Sequence, residues 1–244
     1  MYLRSLRRPG DRTFKVVPAH LPKADLEWAD RSKERGVTMY HILAMEREFA
    51  TGGNEIGRRV ARELGIPLYD RNILIEAAKL LELETKYVED LEETAPGSLI
   101  FNLSSKLGGG LNSTSKAPLS SSNLPLSVKL FMEEKRLLEA KAAEGDCVII
   151  GRCASDIFRD RQDCLKVFVF ADRDYRLKRT IETEKYPADK AEDRIKKMDK
   201  KRSDFFRTHT SKEWKDMSNY DICINSSLIG IEKSVDMLVS LMRE

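Results

Sequence analysis

The order of apolar and amphipathic segments predicts an α/β fold, a doubly wound parallel sheet flanked by helices. Three observations carry that prediction. From Tyr40 onward, short apolar runs alternate with longer amphipathic ones, the order that βα units produce. The runs CVII (147–150) and LKVFVF (165–170) are nearly unbroken, which implies burial on both faces of a sheet, as in parallel sheets covered by helices. The segment ILAMEREFATGGNEIGRRVAREL (42–64) reads as a strand, a turn with paired glycines and a basic amphipathic helix.

Taken in order, residues 1–38 are polar and interrupted by Pro9, Pro18, Pro22 and Gly36, with one short helical stretch at 24–29. They read as an extension outside the core, with disorder as the plain interpretation. Residues 39–244 then form one domain, with strands expected at 41–45, 66–69, 147–151, 165–171 and 220–225. Helices are expected at 54–64, 72–83, 126–143, 173–184, 188–206 and 231–242. Between 103 and 127 the composition shifts to eight serines, Gly108 to Gly110, Pro118 and Pro125, too little apolar surface for a packed segment, so a mobile insertion is expected there.

Composition excludes several classes. A chain of 244 residues buries one substantial core, or a core with a small subdomain, and 41% hydrophobic with 34% charged residues fits a globular protein with a heavily charged surface. No apolar run approaches the roughly 18 residues of a membrane span. No apolar segment follows the early arginines, so no secretory signal is visible. Cys147, Cys153, Cys164 and Cys223 are spaced for neither a zinc site nor a disulfide framework and read as reduced thiols of a cytoplasmic protein. The net charge of +3 hides an excess of four positive charges in residues 1–38, so the remainder sums to −1 and gives no basic face for nucleic acid.

The turn at 50–54 is where chemistry is expected. A strand ending in a glycine turn leaves backbone N–H groups aimed outward, and the following helix adds unpaired donors and the positive end of its dipole. Gly52 and Gly53 let the backbone approach an anion closely. The turn departs from the phosphate-loop motif GxxxxGK[ST]: Gly53 stands at the lysine position and Glu55 at the hydroxyl position. On these residues alone, an ordinary strand-to-helix turn and a phosphate loop stay equally open.

The larger pattern resembles the cytidylate kinase-like branch of the P-loop nucleoside monophosphate kinases. The residues that carry the resemblance are EREFATGGNEIGRRVARELGIPLYDRNIL, VIIGRCASDIF, DRDYRLKRTIE, KKMDKKRSDFFRTHTSKEW and NYDICINSS, spread over most of residues 40–243. The resemblance implies a P-loop kinase-type sheet with a helical lid at 187–214, and transfer of the ATP γ-phosphoryl group to a nucleoside monophosphate, CMP or dCMP by analogy, with Mg²⁺ bridging the phosphates. A homodimer is compatible with the family.

By this resemblance, Arg47, Thr51, Gly52, Gly53, Asn54 and Glu55 form the ATP-binding turn, with Thr51 the nearest hydroxyl to Mg²⁺. Relatives commonly carry glycine where Ala50 stands and arginine where Asn54 stands. Arg47, Arg58 or a lid arginine must then neutralise the phosphates, although Arg58 and Arg59 also read as a solvated helix face. Asp70 serves as a helix cap, a monophosphate-pocket residue, or both. Gly151 and Arg152 follow the buried strand, where an arginine can grip the acceptor phosphate bidentately. No aspartate ends that strand to hold Mg²⁺, and no metal-ligating cluster is recognisable. Residues 194–207 hold seven Lys/Arg against two Asp, and within them Asp199 and Arg202 have the lid spacing D-x-x-R. Residues three apart share a helical face, so Asp199 is expected to orient Arg202 toward the transferred phosphate. Arg202, Arg152 and Arg194 are the catalytic candidates; Asp70, Gly151, Arg152 and Asp199 are the acceptor-binding candidates. Asn225, Ser226 and Ser227 read as a capped turn or as an adenine-side loop. Two other functions stay open: a nucleotide-binding regulatory protein that has lost turnover, and a kinase for another small phosphate acceptor.

Overall fold

The computed structural model describes residues 40–83 and 125–243. The 1–38 extension and most of the 103–127 insertion therefore lie outside the described residues. Strands β1 (Ile42–Arg47), β2 (Leu68–Tyr69), β3 (Cys147–Ile150), β4 (Cys164–Phe170) and β5 (Ile222–Asn225) form one sheet in the order β2-β3-β1-β4-β5. Every pairing is parallel, with Ile42 opposite both Cys147 and Cys164, Leu68 opposite Val148, and Val167 opposite Ile222.

Helices cover both faces, as the unbroken apolar strands require. They are α1 (Gly53–Leu64), α2 (Asn72–Leu80), α3 (Leu126–Glu144), the short α4 (Ala154–Ile157), α5 (Arg173–Glu182), α6 (Ala191–Thr210), the short α7 (Ser226–Ile229) and α8 (Ile231–Arg243). Leu43 and Met45 of β1 point into the layer with Ile56 and Val60 of α1 and Val235 and Leu238 of α8. Ile42 and Ala44 point the other way, into Ile73, Leu74 and Ala77 of α2 and Leu137 and Leu138 of α3. Truncating a fully buried residue such as Leu138 to alanine in this layer costs about 2–5 kcal/mol. A third cluster packs Phe206 of α6 and Trp214 against Phe168, Cys153 and Tyr220, and so fixes the root of the charged helix to the sheet.

The departures from expectation lie at element ends and in the short helices α4 and α7, which the sequence did not predict. Helix α2 stops at Leu80 because Glu82 turns left-handed at φ 56° and Leu83 N–H bonds back to the Ala78 carbonyl. Helix α6 opens with a 3₁₀ turn, Ala188–Lys190, and runs on to Thr210, whose hydroxyl donates to the Phe206 carbonyl. Helix α4 follows three successive positive-φ residues, Gly151, Arg152 and Cys153, at 74°, 58° and 57°. A left-handed non-glycine residue costs about 1–2 kcal/mol, so this turn is held by its surroundings.

The four cysteines are free, and Cys223 alone among them is only half-buried. Burial pushes the Cys147 and Cys164 thiols up to about 12, which leaves them neutral and unreactive. No helix among the described residues is long and apolar enough to cross a membrane.

Candidate functional site

The chain leaving β1 enters its turn between β3 and β4, at the carboxyl end of the sheet, where doubly wound sheets bind ligands. The turn is held from several directions. Glu48 N–H bonds to the Val169 carbonyl at 2.9 Å, and Phe49 N–H to Asp199 Oδ1 at 2.8 Å. Arg176 Nε donates to the Phe49 carbonyl at 2.8 Å, and Ser226 Oγ donates to the Thr51 carbonyl at 2.7 Å. Gly52, at φ 83°, then starts α1 with no side-chain cap, which leaves the first-turn donors after Gly53 open to an anion.

Thr51 is buried, and its hydroxyl works inside the turn, donating to the Glu48 carbonyl at 3.0 Å and accepting from Gly53 N–H at 3.3 Å. A Cβ added to Gly53 would lie 2.7 Å from Arg47 Cβ, so Arg47 fills the space beside the position where a lysine would otherwise stand. Arg47 Nε donates to Asn54 Oδ1 at 2.8 Å. Its guanidinium reaches Gly151, where a side chain would displace it. One arginine thus links the turn after β1 to the turn after β3.

Two cavities open there. The first, about 550 Å³, is lined by Arg47 and residues 48–55 of the turn, with Arg58, Arg62, Arg179 and Arg202. The second, about 400 Å³, includes Glu46, Asp70, Gly151, Arg152, Phe131 and Phe205 in its wall. Arg47, Asn54, Arg58 and Arg202 line both. Arg202 Nη1 donates to the Arg47 carbonyl at 2.8 Å, and burial, with the Arg47 charge beside it, presses the Arg202 pKa down to about 9. It remains a cation at neutral pH. Two guanidinium groups held close in a half-dry wall repel, and an anion placed between them relieves that repulsion.

The remaining candidates fall into different places. Asp70 lines the second cavity, accepts from Asn72 N–H at 3.2 Å just before α2 and pairs with Arg58 at 2.6 Å. Arg152 lines the second cavity, but its fork already grips the buried Glu134 carboxylate, with Nε to Oε2 at 2.7 Å, and its guanidinium lies 4.7 Å from the Phe205 ring centre. Asp199 does not hydrogen-bond Arg202 as the D-x-x-R spacing led us to expect; its two oxygens bind Phe49 N–H and Arg176. The carboxylate is drawn to the turn because Arg176 brings a second charge there. Arg194 lines neither cavity and sits 5.7 Å and 5.4 Å from the ring centres of Phe49 and Tyr186. The cap after β5 is made by Asn225, which accepts from Ser227 N–H at 3.1 Å, while Ser226 turns inward to the turn after β1.

Several residues at this site were not among the sequence candidates, although Glu48, Arg176 and Arg179 lie in segments that carry the resemblance. Arg179 of α5 lines the first cavity and pairs with Glu55 at 2.9 Å. Arg176, one turn earlier, bridges Glu48 at 3.1 Å and Asp199, and Glu48 also pairs with Lys215. Glu134 of α3 is buried in a helix whose acidic residues otherwise read as surface.

A model of the cytidylate kinase-like family matches residues 42–228 of this chain. No curated protein matches it in sequence. The crystal structure of an uncharacterized protein from Eubacterium ventriosum ATCC 27560 is similar at 24% identity and TM-score 0.59, over 82% of this chain and 97% of that one. A shikimate kinase from Bacteroides thetaiotaomicron matches at 15% identity and TM-score 0.45, over 83% and 98% of the two chains. A dephospho-CoA kinase from Campylobacter jejuni matches at 13% identity and TM-score 0.37, over 84% and 100%. Scores as low as these last two bear on neither fold nor activity. The family match, together with the parallel P-loop kinase-type sheet, supports a kinase-type phosphotransfer. By that match over residues 42–228, the chain belongs to the cytidylate kinase-like family.

Proposed function

We propose that the protein transfers the γ-phosphoryl group of ATP to a nucleoside monophosphate, CMP or dCMP in the first instance. The triphosphate lies in the cavity of Arg47, Thr51, Gly52, Gly53, Asn54 and Glu55, and the acceptor in the cavity of Asp70, Gly151 and Arg152. The observation that carries this reading is the shared wall: Arg47, Asn54, Arg58 and Arg202 face both cavities, so charge leaving one nucleotide for the other passes between Arg47 and Arg202. Phosphoryl transfer depends mainly on positioning and charge neutralisation, which this wall supplies without a covalent intermediate.

Mg²⁺, bound with the nucleotide, would neutralise the phosphate oxygens. Glu55 and Glu184 are carboxylates lining the first cavity that would hold its water shell. Among the described residues no group of three His, Cys, Asp or Glu forms a metal site by itself, so the ion would arrive with the phosphates.

Two observations favour the alternative of nucleotide binding without turnover. The Thr51 hydroxyl is engaged inside the turn, and the Arg152 fork is occupied by Glu134. A kinase for another small phosphate acceptor also fits the second cavity. Coupled ADP release, assayed over a panel of nucleoside monophosphates, separates the three readings. Release dependent on a monophosphate supports the proposal; Mg·ATP binding with no release for any acceptor supports the alternative.

A further inference from the structure

At the carboxyl end of β1, Glu46 stands on the face of the sheet opposite Met45, beneath α6. It is 4% exposed and lines the second cavity. Its Oε2 accepts from Trp214 Nε1 at 3.3 Å, and its Oε1, equally buried, has no hydrogen-bond partner. A buried carboxyl oxygen without a partner costs free energy, and folded proteins keep such an atom where a ligand or a function completes it.

The surroundings restrict what that ligand can be. The charges facing Glu46 are the guanidinium groups of Arg47, Arg202 and Arg152. Three cations leave no room for a metal ion on a single carboxyl, and a carboxylate repels a phosphate. The acceptor's phosphate therefore belongs on the Arg47, Arg58 and Arg202 wall, and an uncharged hydrogen-bond donor belongs on Oε1. Resting on the phosphotransferase reading above, we infer that Glu46 is the acceptor-specifying residue, its free Oε1 taking a hydrogen bond from the ribose 2′-hydroxyl or the exocyclic amine of the acceptor. The acceptor class is thus a phosphate monoester that carries such a donor.

The test is calorimetric binding of CMP, dCMP, UMP and, separately, Mg·ATP to the wild-type chain and to Glu46→Gln and Glu46→Leu. Relative to CMP, dCMP lacks the 2′-hydroxyl and UMP lacks the exocyclic amine, so each removes one candidate donor. The wild type is expected to bind one of these two analogues about tenfold more weakly than CMP. Glu46→Leu is expected to weaken CMP by about tenfold and to abolish that discrimination, while Glu46→Gln, which keeps a carbonyl oxygen, retains most of it. Mg·ATP affinity stays within about twofold throughout. If Glu46→Leu does not fold, Glu46→Asp, which withdraws the oxygen by one methylene, carries the same expectation. A variant that discriminates among the three monophosphates as the wild type does, or a wild type that treats them alike, overturns the assignment of Glu46 alone. Binding of Mg·ATP with no monophosphate bound overturns the nucleoside monophosphate reading and this inference with it.

Discussion

The guanidinium of Arg47 rests against Gly151, so a side chain from the end of β1 closes over the end of β3 and forms a wall common to both cavities. This contact is possible because Gly151 has no side chain and holds φ 74°. Gly151→Ala is expected to displace Arg47, lower turnover by about tenfold or more, and cost about 1–2 kcal/mol of stability. Steady-state kinetics and urea denaturation measure the two effects.

Arg202 is expected to act on the migrating charge more than on resting ATP. Arg202→Ala should lower kcat by about 10³-fold while changing the Mg·ATP dissociation constant far less. Arg202→Lys should recover little, because a point charge does not reproduce a planar fork. Turnover preserved in the alanine variant would remove Arg202 from the mechanism.

The ion pairs of Arg176 with Glu48 and Asp199 hold the turn after β1 to α6. Truncating Arg176 removes the cation shared by the buried Glu48, which keeps Lys215, and the half-buried Asp199, so Arg176→Ala is expected to cost about 3 kcal/mol, measurable as a lower urea midpoint. Arg152→Ala strands the buried Glu134 carboxylate in the same way and carries the same expectation.

His209 stacks on Phe131 with ring centres 3.9 Å apart, and burial, followed by the charge of Arg152, pushes its pKa down to about 4 from an ordinary 6.5. The fold favours the neutral ring, so its contribution is complete above pH 6.5 and is lost as pH falls through about 4. Stability should decline by roughly 2–3 kcal/mol over that window from this group. His209→Phe keeps the stack and should flatten that part of the pH profile, read by denaturation at several pH values.

Much of the fold was legible in the sequence. Unbroken apolar runs at Cys147–Ile150 and 165–170 require cover on both faces, and the sheet has it. The paired glycines marked the turn that lines the first cavity, and Gly151 and Asp70 both reached the second. What stayed hidden depends on contacts between distant positions. Asp199 bonds to Phe49 N–H across 150 residues, and a helical i, i+3 spacing cannot reveal that partner. Glu134 reads as one more charge on a charged helix until α3 packs beneath the turn after β3. The left-handed run through Arg152 and Cys153 has no glycine signal beyond Gly151, because tertiary contacts impose it.

The central claim is that donor and acceptor phosphates meet between Arg47 and Arg202, and a bisubstrate analogue tests it most directly. Crystals soaked with cytidine and adenosine joined through a pentaphosphate should place the bridging phosphates between those two guanidinium groups, with adenosine on the Gly52 side and cytidine on the Gly151 side. Bridging phosphates bound away from both arginines, or a ligand confined to one cavity, would contradict the account.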